Sequence, residues 1–270
     1  MKVKELFNYL DTRFPPFIQE NYDNSGKQVS FGNEEINGIL LALDISEDVI
    51  DELEQRKYNV LVTHHPLLFK PLKHIDDELM QSRILLHLID KRVSLYSAHT
   101  PLDKVYYDKL AKRLDVQVND IIYKDEADID GSEELGYGVL GKLQLKMGVE
   151  EFLSIVKTKL GIEYITYCGD EKNQVNNIAL LNGAGGRKIP SIINTYDVDC
   201  IITGDVGYHE MKHALDTGVV VIDAGHYGTE KILLDFLSSD LQDFLTKSSP
   251  GYQVQVSISN SETNPFKVTM

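Results

Sequence analysis

The chain has 270 residues, is 42% hydrophobic and 26% charged, and carries a formal net charge of −15, so it can fill one large domain or two lobes. That acidity repels phosphate backbones and sets duplex nucleic acid aside as a partner, while leaving room for a small anion held by metals or helix ends. Two cysteines, Cys168 and Cys200, are too few for a disulfide scaffold or a Cys-based zinc site, and no apolar run approaches the ~20 residues of a membrane helix.

Met1–Glu5 lacks an apolar signal core, so the expected location is cytoplasmic and no membrane partner is expected. Val3, Leu6, Phe7 and Leu10 follow helical spacing, and Pro15-Pro16 stops that helix. Asn21-Tyr22-Asp23-Asn24-Ser25-Gly26 reads as a polar surface loop. Gly38–Leu43 predicts a buried strand, and Ser46 caps a helix over Glu47–Lys57. The apolar run Asn59–Thr63 then ends abruptly in His64-His65-Pro66. A helix fits Glu78–Lys91, with Leu79, Ile84, Leu85 and Leu88 inward. The next strand, Val93–Ala98, runs into His99-Thr100-Pro101-Leu102-Asp103.

Residues 115–135, with Asp-Glu-Ala-Asp-Ile-Asp-Gly at 125–131, read as a solvated connector. After it come a strand at Tyr137–Leu145, a helix at Val149–Leu160, and strands at Ile162–Tyr167 and Asn177–Leu181. The last ends in Asn182-Gly183-Ala184-Gly185-Gly186-Arg187. Cys200–Asp205 is a strand ending in an acid, followed by a helix at Gly207–Leu215. Val219–Ile222 ends in Asp223-Ala224-Gly225-His226. The last long helix begins near Tyr227 and carries Glu230, and a strand is expected at Tyr252–Ser257. This alternation predicts an α/β fold with one or two mostly parallel sheets.

Ligands in such sheets gather at the carboxyl ends of strands, where His64, His65, Asp103, Asp205 and His226 all fall. A lone histidine there would cap a helix or pack. Two in tandem, with acids at similar ends, point to a metal. Asp103 can bridge two cations or cap a helix, and His99 can ligate or orient a neighbour. His226 and Glu230 share a face if their helix starts at or before His226. The glycine turn beside Arg187 reads equally as a tight turn or an anion seat. A rival pattern, His209-Glu210-Met211-Lys212-His213, matches the H-E-x-x-H of zinc proteases, with Glu230 conceivable as third ligand, but it sits in a short helix and leaves the other strand-end groups unexplained.

Taken in order, Thr63-His64-His65-Pro66, His99–Asp103, Thr203-Gly204-Asp205-Val206-Gly207-Tyr208-His209 and Gly225-His226-Tyr227-Gly228-Thr229-Glu230 resemble the GTP cyclohydrolase 1 type 2 homologue family, also called NGG-interacting-factor-three-like. Asn21–Gly26 resembles its W-D-N-x-G element with Tyr22 in place of Trp, and Asn182–Gly186 resembles its glycine turn. Pro101 stands where Asn is common. The resemblance implies a two-lobed fold with a dinuclear metal site in the interlobe cleft, ligated by His64, His65, Asp103, His226 and Glu230. It also implies a ring-shaped homohexamer, a trimer of dimers. The expected lobes are 1–125, with 226–270 packing back on it, and 130–225, with no inserted third domain.

Two divalent cations (zinc, iron, manganese or nickel by donor type) would activate water for hydrolysis of a nucleotide or related small molecule. Asp205 or His209 would orient the water or carry a proton, and Arg187 with the glycine turn would hold substrate phosphate. The competing expectation is a non-catalytic metal carrier or scaffold.

Overall fold

The computed structural model describes residues 1–127, 134–248, 251 and 253–269. In chain order the elements are α1 (Val3–Arg13), β1 (Gly26–Val29), β2 (Gly38–Ala42), α2 (Glu47–Arg56), β3 (Val60–Thr63), α3 (Met80–Asp90), β4 (Ser94–Ser97), α4 (Thr100–Val105), α5 (Lys109–Arg113), β5 (Gln117–Asp125) and β6 (Leu135–Gly148). They continue with α6 (Val149–Leu160), β7 (Thr166–Cys168), β8 (Gln174–Leu180), α7 (Ile189–Thr195), β9 (Cys200–Thr203), α8 (Tyr208–Thr217), β10 (Val220–Asp223), α9 (His226–Glu230), α10 (Leu233–Ser248) and β11 (Gln255–Ile258). The chain divides into two compact units, Met1–Leu102 with Leu234–Thr263, and Asp103–Leu233 with Asn264–Met270.

The first unit holds a five-stranded sheet in the order β1-β4-β3-β2-β11. Its strands run parallel except the edge strand β1, antiparallel to β4. Strand alternation sends Leu40, Leu61 and Leu95 to one face, where they meet Val49 and Leu53 of α2 and Ile84 and Leu88 of α3. Each such buried side chain contributes about 1.5–3 kcal/mol. On the other side Tyr96 meets Phe7 of α1, ring centroids 5.3 Å apart. Helix α2 starts as expected, with the Ser46 hydroxyl accepting from Val49 N at 3.2 Å, a cap worth about 1 kcal/mol.

The second unit holds a six-stranded sheet, β5-β6-β8-β9-β10-β7, and here the expectation of a mostly parallel sheet fails. The β8-β9-β10 centre is parallel, but β5–β6, β6–β8 and β10–β7 pair antiparallel. One of these pairings comes from the expected connector at 115–135: Gln117–Asp125 is an edge strand, pairing with β6 alone through a bulge between Val118 and Asp120. An edge strand with one solvated face is rich in acids and amides and reads as a loop. The chain first crosses from one compact unit to the other at Leu102/Asp103. Residues 128–133 of the expected connector, and Tyr252 at the head of the last expected strand, lie outside the described residues. Helices α7 and α8 cover one face through Ile189, Ile192 and Ala214 against Ala179, Ile201 and Val221. Among the described residues no helix is long and apolar enough to cross a membrane.

Candidate metal centre

In the first unit the ladder continues past the end of β3: His64 N donates to Ala42 O at 3.0 Å and His65 N to Leu43 O at 2.8 Å. The Thr63 hydroxyl then donates to His65 O at 2.8 Å and pins the bend. Tandem residues that strand alternation would send to opposite faces are thereby turned together. Their ring centroids lie 4.9 Å apart, with that of His99, just past β4, at 5.1 and 5.4 Å. One donor atom from each of the three lies within 4.8 Å of the others, close enough to share an ion.

Each of these rings has Nδ1 engaged by an oxygen. His64 Nδ1 meets Ala98 O at 3.0 Å, His65 Nδ1 meets Asp44 Oδ1 at 2.9 Å, and His99 Nδ1 meets Asp23 Oδ1 at 2.8 Å. A carbonyl or ionised carboxylate can only accept, so Nδ1 carries the hydrogen and, in the neutral ring, Nε2 carries the lone pair. Asp23 is itself anchored, its side chain fully buried. Burial opposes its ionisation, but hydrogen bonds from His99, Thr100 and Ser25 outweigh that and hold its carboxyl well below the usual aspartate range.

In the second unit the parallel strands β8, β9 and β10 release three loops at one edge of the sheet. Asn182, after β8, is buried and donates its amide to Asp103 Oδ1 at 3.1 Å. Gly183 follows with φ +59°, and a Cβ there would stand 2.0 Å from Glu230 Oε1 and 3.3 Å from His226 Nε2. Only glycine lets the turn lie so close to this pair. Helix α9 begins at His226, so His226 and Glu230 do share a face, with Nε2 and Oε2 3.1 Å apart. His226 Nδ1 meets Asp205 Oδ2 at 2.8 Å. The hydrogen bond to Glu230, against the opposing effect of burial, together with Asp205 raises the His226 imidazole to about 9. Carboxylate oxygens of Asp103 and Glu230 lie within 4.8 Å of one another.

Asp205 thus orients His226, and it does so from a left-handed backbone, φ +55°, that favours glycine. The Asp223 carboxylate ties the two neighbouring loops, accepting from Val206 N at 3.1 Å and Gly225 N at 2.9 Å. Burial, with the nearby Asp205 charge, pushes the Asp223 carboxyl up against those two donors.

The remaining expected groups belong to none of these donor sets among the described residues. The glycine turn is no ready anion seat, because Gly183 N donates to the Thr229 hydroxyl, Gly185 N to Gly183 O and Gly186 N to Gly204 O. Arg187 is exposed in a short 3-10 turn. His209 is exposed at the start of α8, its ring against Tyr208 at 5.4 Å. Neither His209 nor His213 joins any group of three metal-competent donors among the described residues. Glu210 folds back over the start of α8, where its Oε2 lies 2.5 Å from the place a Gly207 Cβ would take.

Sequence reasoning singled out Asp205 but missed the other two orienting acids, Asp44 and Asp23. Asp44 directly follows the strand read as Gly38–Leu43, so the strand-end rule itself could have found it. Asp23 sat in a stretch whose composition reads as a surface loop, and only the resemblance of Asn21–Gly26 to the W-D-N-x-G element marked it.

The Duf34/NIF3 (NGG1p interacting factor 3) family profile matches residues 1–265. A Clostridium acetobutylicum protein named GTP cyclohydrolase 1 type 2 homolog is 32% identical over 99% of this chain and 98% of its own. A Helicobacter pylori protein named GTP cyclohydrolase 1 type 2 is 32% identical over 85% of this chain and 87% of its own. The crystal structure of a Staphylococcus aureus hypothetical protein superposes with a TM-score of 0.88 at 25% identity, covering 100% of this chain and 99% of that one.

Proposed function

The chain belongs to the Duf34/NIF3 family, and from that premise we propose that it is a dinuclear metal-binding hydrolase of a nucleotide or related small molecule. The proposed ligands are His64 and His65 of the first unit and Asp103, His226 and Glu230 of the second, sharing one pair of cations in a cleft. The polypeptide passes from one unit to the other inside α4, between His99 and Asp103. The observation that carries the reading is the orientation of the rings: His64, His65 and His226 each have Nδ1 held by an oxygen acceptor. That arrangement fixes the ring and presents Nε2, as metal-ligating histidines do. The mixed nitrogen and oxygen donors suit zinc, iron, manganese or nickel.

Bound there, divalent cations would supply Lewis acidity that acidifies water and polarises a carbonyl or phosphoryl oxygen. The chain's own groups have narrower tasks. Asp44 and Asp205 hold rings in place. Asn182 orients the Asp103 carboxylate, and Gly183 makes room for Glu230. His209 is the proposed proton carrier. The name of the H. pylori relative, GTP cyclohydrolase 1 type 2, suggests the substrate class. A ring-shaped homohexamer belongs to the same proposal, and light scattering of the purified protein reads it directly.

The deciding experiment measures metal content by mass spectrometry for the wild type, His64→Ala and Glu230→Gln, then screens nucleotides and phosphoesters with and without chelator. Bound metal in the wild type, its loss in both variants, and chelator-sensitive turnover are expected. Full metal retention in both variants overturns the site. Metal without turnover of any compound replaces the hydrolase with the carrier.

A further inference from the structure

Two neighbouring aromatic side chains of the first unit are exposed. Tyr22 is 64% exposed and Phe69 40%. They neighbour one another, ring centroids 6.4 Å apart. Phe69 in turn stands edge-on to His99 at 6.0 Å, and His99 belongs to the three-imidazole cluster. The rings therefore continue the surface of the candidate centre.

Their exposure is held in place. Asn24 Nδ2 donates to Leu68 O at 2.7 Å, which ties the Tyr22 loop to the Phe69 loop. Gln28 clamps both, donating to Asn24 O at 2.7 Å and accepting from Leu68 N at 3.0 Å. Below them Asp23 locks the first loop to His99 and to Thr100, whose N donates to Asp23 Oδ2 at 3.1 Å. Two loops are thus hydrogen-bonded to each other and to the base of the cluster, and they carry partly exposed aromatic rings, whose faces are apolar π surface. Stacking is the interaction such faces offer, and it is tolerant of which ring arrives.

We infer that Tyr22 and Phe69 form an aromatic wall that positions a planar heteroaromatic ring of the substrate beside the imidazole cluster. This rests on the reading that the cluster is the reactive centre, and it narrows the substrate class to compounds with such a ring. The wall selects by shape and π surface, so ring-free phosphoesters lose its contribution.

The chain contains no tryptophan, so Tyr22→Trp introduces a sole indole while keeping a π face. Its fluorescence is titrated, in excess chelator, with guanosine monophosphate, adenosine monophosphate, a pterin and nicotinate, with ribose 5-phosphate as the ring-free control. Saturable quenching by at least one planar ring and none by ribose 5-phosphate is expected. Adding Phe69→Ala weakens that binding about tenfold. Phe69→Leu, which keeps the apolar bulk, weakens it too with an unchanged melting temperature, and it decides the matter if Phe69→Ala does not fold. No quenching by any of the four rings, equal binding of ribose 5-phosphate, or undiminished binding by a folded Phe69→Leu protein overturns the wall. Because the titration is metal-free, loss of the metal reading shows in metal content, and loss of the wall shows here.

Discussion

Replacing Gly183 by alanine tests the centre at its tightest point. Two costs add. The left-handed backbone, φ +59°, costs an alanine about 1 kcal/mol relative to glycine. The new methyl would also stand 2.0 Å from Glu230 Oε1 and 3.0 Å from its Cδ. Glu230 is 4% exposed and paired with His226, so its carboxylate cannot simply swing into water. Overpacking of that kind costs about 1–3 kcal/mol, for a total of roughly 2–4 kcal/mol. Gly218, the cap of α8, is the matched control: its φ is +78° and a Cβ would meet nothing within 4 Å. Gly218→Ala should cost only the backbone share, about 1 kcal/mol. Denaturant unfolding of the chelated proteins measures both, and metal content should fall for Gly183→Ala alone. In a Glu230→Ala background the steric share of Gly183→Ala should vanish, a coupling of about 1–3 kcal/mol. Equal losses at the two glycines, with metal retained in both, would refute the crowding on which this reasoning depends.

Asp44→Asn removes the carboxylate that holds His65 Nδ1. It should weaken metal affinity about 10–100-fold yet leave the melting temperature nearly unchanged, since Asp44 is largely exposed. Unchanged affinity by competition titration would deny it that positioning role. In chelated protein the His226 imidazole is held up to about 9, above its ordinary 6.5, chiefly by Glu230. A raised folded value means its stabilisation is complete below pH 6.5 and is lost as pH rises through 9. Unfolding at pH 6 and pH 9.5 should show that loss, and Glu230→Gln should shrink it; an identical pH slope in the variant would count against the pairing. His209→Ala and His213→Ala should both leave metal content intact, with turnover reduced only by the first; metal loss in either would revive the protease pattern.

Elements with a clean internal period are legible in the residue pattern alone. Val149–Leu160 emerges as a helix with the same bounds, and the apolar runs ending at Thr63, Ser97, Thr203 and Asp223 are strands whose ends carry the candidate donors. The edge strand at Gln117–Asp125 is illegible because half its surface faces solvent and its acids mimic a linker. With that strand misread, the hairpin it makes with Leu135–Gly148 is invisible, and one of the sheet's three antiparallel pairings goes with it.

By itself the sequence determined the alternation of strands and helices and the set of nitrogen and oxygen donors placed at strand ends, because periodicity and strand termini are properties of near neighbours along the chain. Tertiary structure alone decided which nitrogen each imidazole presents, since Asp23 reaches His99 across 76 residues and Asp205 reaches His226 across 21. It also decided that the glycine turn serves close approach to Glu230 instead of holding an anion. Those outcomes depend on where distant loops meet, and hydrogen bonds act over about 3 Å in space whatever the separation along the polypeptide.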